Sequence, residues 1–132
     1  MSIVYLNGRY LPEDEAVIPV TDRGFLFADG IYEVTPAYSG RFFLMERHRA
    51  RLLSGLCELR IDADTSGLAQ MHDELLRQNG LLDAEVSIVY IQITRGAAPR
   101  THAFPSERTT PTIYAFAKKF VRPEAKRWNQ GY

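Results

Sequence analysis

An α+β domain, with an antiparallel sheet and two helices packed on one of its faces, is the fold class this sequence predicts. Three observations carry that expectation. Two strand–turn–strand signatures come early, centred on Asn7-Gly8 and Ser39-Gly40. Two stretches with apolar residues every three or four positions then follow one another between Met45 and Asn79. After them comes an alternating, β-branched run over 86–93, which suits a strand pinned in a sheet. Strands and helices segregated along the chain point away from a doubly wound parallel sheet.

The elements are justified in order. Ile3 to Leu6 and Arg9 to Leu11 flank Asn7-Gly8, which supplies the positive φ of a type I′ turn, so a tight hairpin is predicted. Pro12-Glu13-Asp14-Glu15 ends it. Residues 17–20 are a short apolar piece, and Thr21-Asp22-Arg23-Gly24 reads as a turn. Residues 25–30 predict a single buried helical turn. A strand follows over 31–38, and Ser39-Gly40 turns it into 41–44. Pro36 has no N–H for a ladder, which places that strand at an edge or a bulge. From Met45 the period changes: Met45, His48, Leu52, Leu56 and Leu59 form one helical stripe. A second helix uses Leu68, Met71, Leu75 and Leu76, with Thr65 or Ser66 as its cap and Asn79-Gly80 as its stop. A strand over 84–95, a Pro- and Arg-bearing loop and a strand over 112–118 complete a domain of residues 1–120. The tail, 121–132, has few apolar residues besides Trp128 and predicts the start of a linker with no finished element.

Composition narrows the function classes. At 132 residues and 45% hydrophobic content, one domain with a real core is expected. Acidic and basic residues number 16 each, so no long-range pull toward nucleic acid or anionic membrane is expected. All the basic residues except Lys118, Lys119 and Lys126 are Arg, the side chain suited to bidentate anion recognition, although a G- and C-rich genome gives the same bias. Cys57 is the only cysteine, which excludes an internal disulfide and a zinc-ligand cluster. Among Leu53, Leu56 and Leu59 it reads as a buried, inert thiol. The N-terminus lacks the pattern of a signal peptide and no run reaches membrane-span length, so a soluble cytoplasmic protein is expected.

Four side chains stand out for chemistry. Arg100 and His102 follow the 84–95 strand in Thr94-Arg95-Gly96-Ala97-Ala98-Pro99-Arg100-Thr101-His102. In extended chain, residues two apart point the same way, so the pair would face a common carboxylate or phosphate; a solvated basic loop is the other reading. Tyr32 packs as an edge aromatic or donates its hydroxyl to a ligand, and Glu33 points to the opposite face. Arg51 flanks the apolar stripe of its helix, with Gly55 one turn on. It either anchors a phosphate or snorkels over apolar surface. His48 reads as a satisfied core histidine and His72 as a solvated one. No Gly-x-Gly-x-x-Gly, Walker or Gly-x-Ser-x-Gly motif is present.

Taken in order, these segments carry a family resemblance. Tyr5-Leu6-Asn7-Gly8, the block from Asp22-Arg23-Gly24 through Asp29-Gly30-Ile31-Tyr32-Glu33, the helix start at Glu46–Leu52, and Gln92-Ile93-Thr94-Arg95-Gly96 resemble the N-terminal small domain of class IV (fold-type IV) pyridoxal-phosphate aminotransferases. Pro99-Arg100-Thr101-His102 resembles the D-amino-acid (D-alanine) aminotransferase branch. The resemblance implies a transaminase that acts on amino acids and 2-oxo acids, converting D-alanine and 2-oxoglutarate to pyruvate and D-glutamate. It implies pyridoxal 5'-phosphate as cofactor, with Arg51 on the cofactor phosphate. Tyr32, Arg100 and His102 then trap the substrate carboxylate, the last two from the partner subunit of a homodimer. The family's Schiff-base lysine, and most of its phosphate cradle, belong to a C-terminal domain, which the resemblance places beyond Tyr132. None of the three lysines here matches it, so no catalytic residue is assigned and the chain is expected to be a truncated form, inactive alone. Branched-chain aminotransferases and aminodeoxychorismate lyases share the Asp-Gly-x-Tyr-Glu region and form the alternative within the enzymes. A non-catalytic interaction domain is the alternative outside them.

Overall fold

The computed structural model describes residues 1–131, apart from the side chains of Lys126 and Trp128; these and Tyr132 lie outside the described residues. Six strands, β1 (Ile3–Leu6), β2 (Arg9–Pro12), β3 (Gly30–Tyr38), β4 (Arg41–Phe42), β5 (Ser87–Thr94) and β6 (Thr112–Lys119), form one sheet in the order β2-β1-β6-β5-β3-β4. Every neighbouring pair is antiparallel. The first hairpin is the one its turn chemistry demands: Asn7 and Gly8 both take positive φ, and Tyr5 lies opposite Tyr10.

A short helix, α1 (Arg23–Phe27), precedes β3, and the core lies between one sheet face and two longer helices, α2 (Met45–Leu59) and α3 (Leu68–Gln78). Strand alternation sends Val89, Ile91 and Ile93 of β5 to that face, all fully buried, beside Ala37, Ala115 and Ala117. Leu52 and Leu56 of α2 and Met71, Leu75 and Leu76 of α3 close over them. Helix α2 lies on β3 and α3 on β1, β5 and β6. Gly55 lets α2 approach β3 closely, since a Cβ there would sit 1.8 Å from Ile31 Cδ1. The opposite face carries a row of rings: Tyr32 on Tyr90 (5.7 Å), Tyr90 on Phe116 (5.1 Å) and Phe116 beside Tyr114 (6.0 Å). The edge or bulge expected from Pro36 is not found: β3 lies between β5 and β4, and its register with β5 runs unbroken through Pro36. The Pro36 carbonyl accepts from Phe43 N, away from β5 and toward the two-residue β4.

Several expectations are corrected. The buried members of the α1 segment are polar: Asp22, Arg23 and Asp29 are interior, while Phe25 is 70% exposed. Cys57 is exposed, because it follows Leu56 by one position and so turns about 100° off the buried stripe. His72 is buried rather than solvated; its Nδ1 pairs with Leu68 O at 2.7 Å and its ring stands edge-on to Phe42. The apolar face of α3 is one residue wider than the three-four spacing suggests. Neither Thr65 nor Ser66 caps that helix: Gly67 precedes it, and Ser66 N instead bonds Asp64 Oδ1. The strand expected over 41–44 stops at Phe42, since Leu44 turns left-handed to start α2. The tail forms a short helix, α4 (Ala125–Asn129).

Candidate functional site

The site begins where β5 ends. Gly96 has φ +89°, and a Cβ there would lie 1.9 Å from Thr110 O, so only glycine lets the loop depart against that carbonyl. The loop is then zipped to the segment before α1. Arg23 N donates to Gly96 O, Asp22 bridges Ala97, and Ala98 N donates to Thr21 O. Asp22 does two further jobs: one carboxylate oxygen caps Gly24 N, and the other accepts from the Thr112 hydroxyl on β6.

A buried ion cluster underlies this junction. Asp29 accepts from Arg23 Nε at 2.7 Å, Arg95 Nε at 2.8 Å and Arg95 Nη2 at 3.0 Å. Burial alone would push the Asp29 carboxyl up, but the bonds from Arg95 and Arg23 together hold it below its ordinary value. Arg95 also donates to the carbonyls of Leu59 and Arg60, placing a cation at the C-terminal end of α2 where the helix dipole favours one. Arg23 reaches the other way, donating from Nη1 to Thr101 O at 2.8 Å.

Around that carbonyl lie two of the residues singled out from sequence. The Arg100 guanidinium carbon stands 5.1 Å from the Phe27 ring centroid, and the His102 ring 5.6 Å from it. Arg23 lies over the same ring at 4.7 Å. Arg100 and His102 are exposed, so their polar edges are open to a ligand.

The other two occupy a separate place. Tyr32, 62% exposed, stacks on Tyr90 on the ring-bearing sheet face. Glu33 points to the helix face, as strand geometry requires, and is 3% exposed. Its carboxylate accepts from Arg51 through Nε and Nη2 and faces His48 Nδ1 at 2.8 Å. Burial would raise the Glu33 carboxyl, yet the Arg51 and His48 contacts lower it below the usual range. The same carboxylate raises the Arg51 pKa. The Arg51 side chain is 71% exposed, with its Nη1 uncommitted among the described residues. No hydrogen bond or ring contact joins Arg100 or His102 to Tyr32 or Arg51 among the described residues. A cavity of about 300 Å³ opens beside α1 on the ring-bearing face, walled by Phe25, Gln92, Thr94 and Tyr114, and includes none of the four.

Sequence reasoning missed the frame of this site: Asp22, Arg23, Phe27, Asp29, Glu33 and Arg95. For all of these but Phe27 the signal was present as a charged residue in or beside an apolar stretch. The partners, however, lie 66 or 78 positions apart along the chain for Arg95 and Thr101, which no local pattern connects.

The family model for amino-transferase class IV matches residues 30–130. A D-alanine aminotransferase of Staphylococcus haemolyticus is 38% identical over 125 residues, covering 93% of this chain and 43% of that protein. Among solved structures, 4-amino-4-deoxychorismate lyase from Pseudomonas aeruginosa superposes with a TM-score of 0.74 at 30% identity, over 97% of this chain and 44% of its own. The branched-chain aminotransferase of the archaeon Thermoproteus uzoniensis, solved with norvaline, reaches a TM-score of 0.77 at 22% identity, over 92% of this chain and 41% of its own, which shows the shared fold. The chain therefore spans less than half the length of the curated relatives it matches.

Proposed function

The chain belongs to the class IV aminotransferases, and on that premise we propose that it is the small N-terminal domain of a D-amino-acid transaminase, with D-alanine and 2-oxoglutarate as the substrate type. Residues 1–120 make the domain and 121–132 lead toward the length its relatives have in addition. The observation that carries the reading is the Arg100–His102 pair, both members of which pack against the Phe27 ring in the loop that follows β5. A guanidinium and an imidazole held together by a rigid frame suit a carboxylate, which accepts charge-assisted hydrogen bonds from both. The D-alanine aminotransferases matched over 93% of the chain support the same substrate class.

The residues present fit one end of pyridoxal 5'-phosphate. Arg51 offers an exposed guanidinium, oriented by Glu33 from behind and with Nη1 uncommitted, as a phosphate contact requires. When bound, the cofactor supplies the sink for the electron pair left on the substrate Cα after proton removal. The chain's own part is positional. Arg100 and His102 fix the carboxylate and the Tyr32 hydroxyl adds a third donor, which turns one face of Cα toward the base. Within one chain Tyr32 and the Arg100–His102 pair do not meet. That supports a trap completed between two copies, hence a homodimer. Lys118 lies over Phe116 and Lys119 is exposed at the end of β6; neither contacts the four site residues, and we assign neither as the base. We place the protein in the cytoplasm, supported by a lone cysteine and by the finding that no helix among the described residues is long and apolar enough to cross a membrane.

Two measurements test the proposal. The 132-residue chain mixed with pyridoxal phosphate should show no lysine-bound cofactor absorbance and no turnover. The product of the whole reading frame should convert D-alanine and 2-oxoglutarate, and Arg100→Ala should raise KM for both. Turnover by the 132-residue chain alone would mean that the base lies within it. Activity on 4-amino-4-deoxychorismate with none on D-alanine would put the lyase reading first, which the 30% identity to that enzyme favours as the alternative.

A further inference from the structure

A second buried arginine on Asp29 needs an explanation that the hydrogen bonds of that carboxylate do not supply. Arg95 alone already satisfies both carboxylate oxygens, through Nε to Oδ2 and Nη2 to Oδ1. Adding Arg23, itself 2% exposed, brings a second guanidinium into the interior onto a carboxylate whose oxygens are already taken. Desolvating a cation is costly, so its retention calls for a use. Arg23 makes one bond to Asp29; its other commitments are the Thr101 carbonyl and the face of Phe27. Thr101 is the residue between Arg100 and His102. A fixed carbonyl there sets the peptide plane between Thr101 and His102, and so restricts the direction in which the His102 side chain leaves the backbone. Phe27 then receives both of those side chains on its ring, at 5.1 and 5.6 Å. The helix that carries Phe27 is locked by the Asp22 cap and by Ala28 in the left-handed conformation.

We propose that Arg23 and Phe27 are positioning residues that pre-organise the Arg100–His102 carboxylate trap within a single chain, before any second copy or further domain is docked. The proposal rests on the reading of that pair as a trap. Arg23 holds the backbone between them and Phe27 holds their side chains, while Asp29 and Arg95 anchor Arg23 to the end of α2. The rotamer freedom of Arg100 is thereby removed in advance of ligand binding, which is the usual route by which pre-organisation gains affinity.

Side-chain NMR of the 132-residue chain tests this without cofactor or turnover. Ring-current displacement by Phe27 should mark the Arg100 Cδ protons and the His102 ring protons. Phe27→Leu should return both to ordinary positions, and Phe27→Trp should keep them displaced. Phe27 is only half-buried, so these variants spare the core. Arg23→Lys, which loses the planar fork to Thr101 O, should broaden or split the same signals. Titration with pyruvate as the carboxylate probe should move the Arg100 and His102 signals, with binding weakened on the order of tenfold to a hundredfold in Phe27→Leu. Signals that stay put in Phe27→Leu overturn the proposal, as does pyruvate binding equally well to that variant and to wild type. If the ring coupling is present and abolished as expected while pyruvate moves nothing in wild type, the positioning stands and the carboxylate reading fails.

Discussion

Replacing Asp29 with alanine should be the most damaging single change in the domain, and by an amount the geometry lets us estimate. The substitution removes the shared acceptor of Arg23 and Arg95, which are 2% and 7% exposed. Three hydrogen bonds of 2.7, 2.8 and 3.0 Å go with it. Breaking a buried pair from one side costs ~3–5 kcal/mol, because the remaining charge stays buried without a partner. Here two cations are orphaned, so a loss of about 5 kcal/mol is expected, out of a total stability of roughly 5–15 kcal/mol. The carbonyls of Leu59, Arg60 and Thr101 remain as acceptors and keep the figure from rising further. Arg95→Met provides the comparison. It leaves Arg23 and Asp29 as a balanced pair and fills the space with apolar volume, so about 2–3 kcal/mol is expected from lost bonds and the lost α2 cap. The assay is urea unfolding of the 132-residue chain followed by far-UV circular dichroism. With m of about 2 kcal/mol/M, the midpoint should fall by ~2.5 M for Asp29→Ala and by ~1–1.5 M for Arg95→Met. A midpoint shift for Asp29→Ala no larger than that for Arg95→Met would refute the charge accounting.

Two further outcomes are expected. Burial pushes the His72 imidazole down from its ordinary 6.5, against the pull of the Leu68 carbonyl, so the folded protein keeps it neutral while the unfolded chain takes up a proton. That contribution is therefore fully present above pH ~6.5 and declines as pH falls toward the folded pKa, by up to ~1.4 kcal/mol per unit. Urea midpoints between pH 7.5 and 5 should fall less steeply in His72→Leu than in wild type, and parallel slopes would contradict the assignment. Gly96→Ala should cost at least ~2 kcal/mol, since positive φ is strained for alanine and its Cβ would meet Thr110 O. Gly8→Ala, at the same φ of +89° with nothing nearby, should cost only ~1 kcal/mol. Equal drops in Tm for the two would show that the Thr110 contact yields freely.

The parts of the molecule that could be read in advance are those governed by short-range chemistry. Asn7-Gly8 forms its hairpin because the backbone preference of two residues is enough to close it. The stripe Leu52, Leu56 and the stripe Leu68, Met71, Leu75 bury as their period requires. Arg100 and His102, two positions apart, both reach the Phe27 ring, with His102 at a bend in the chain. His72 and Cys57 depart from the sequence reading for different reasons: a helical wheel gives the direction of His72 but not what covers it, whereas the apolar neighbours of Cys57 in sequence hide the 100° turn that takes it off the stripe. Phe42, arriving from β4, covers His72, and Cys57 is left facing outward.

The sequence by itself determined the fold class, the order of the elements and the family, because hydrophobic period, turn residues and ordered motifs are local properties that survive without coordinates. Only the tertiary structure decided what the charged residues do. Asp29 joins Arg23 to Arg95, Glu33 holds Arg51 and His48, and Phe27 supports Arg100 and His102. Such pairings depend on which turn folds back against which strand end. A buried charge takes its partner from whatever the packing brings within about 3 Å, and that neighbour can lie anywhere in the chain.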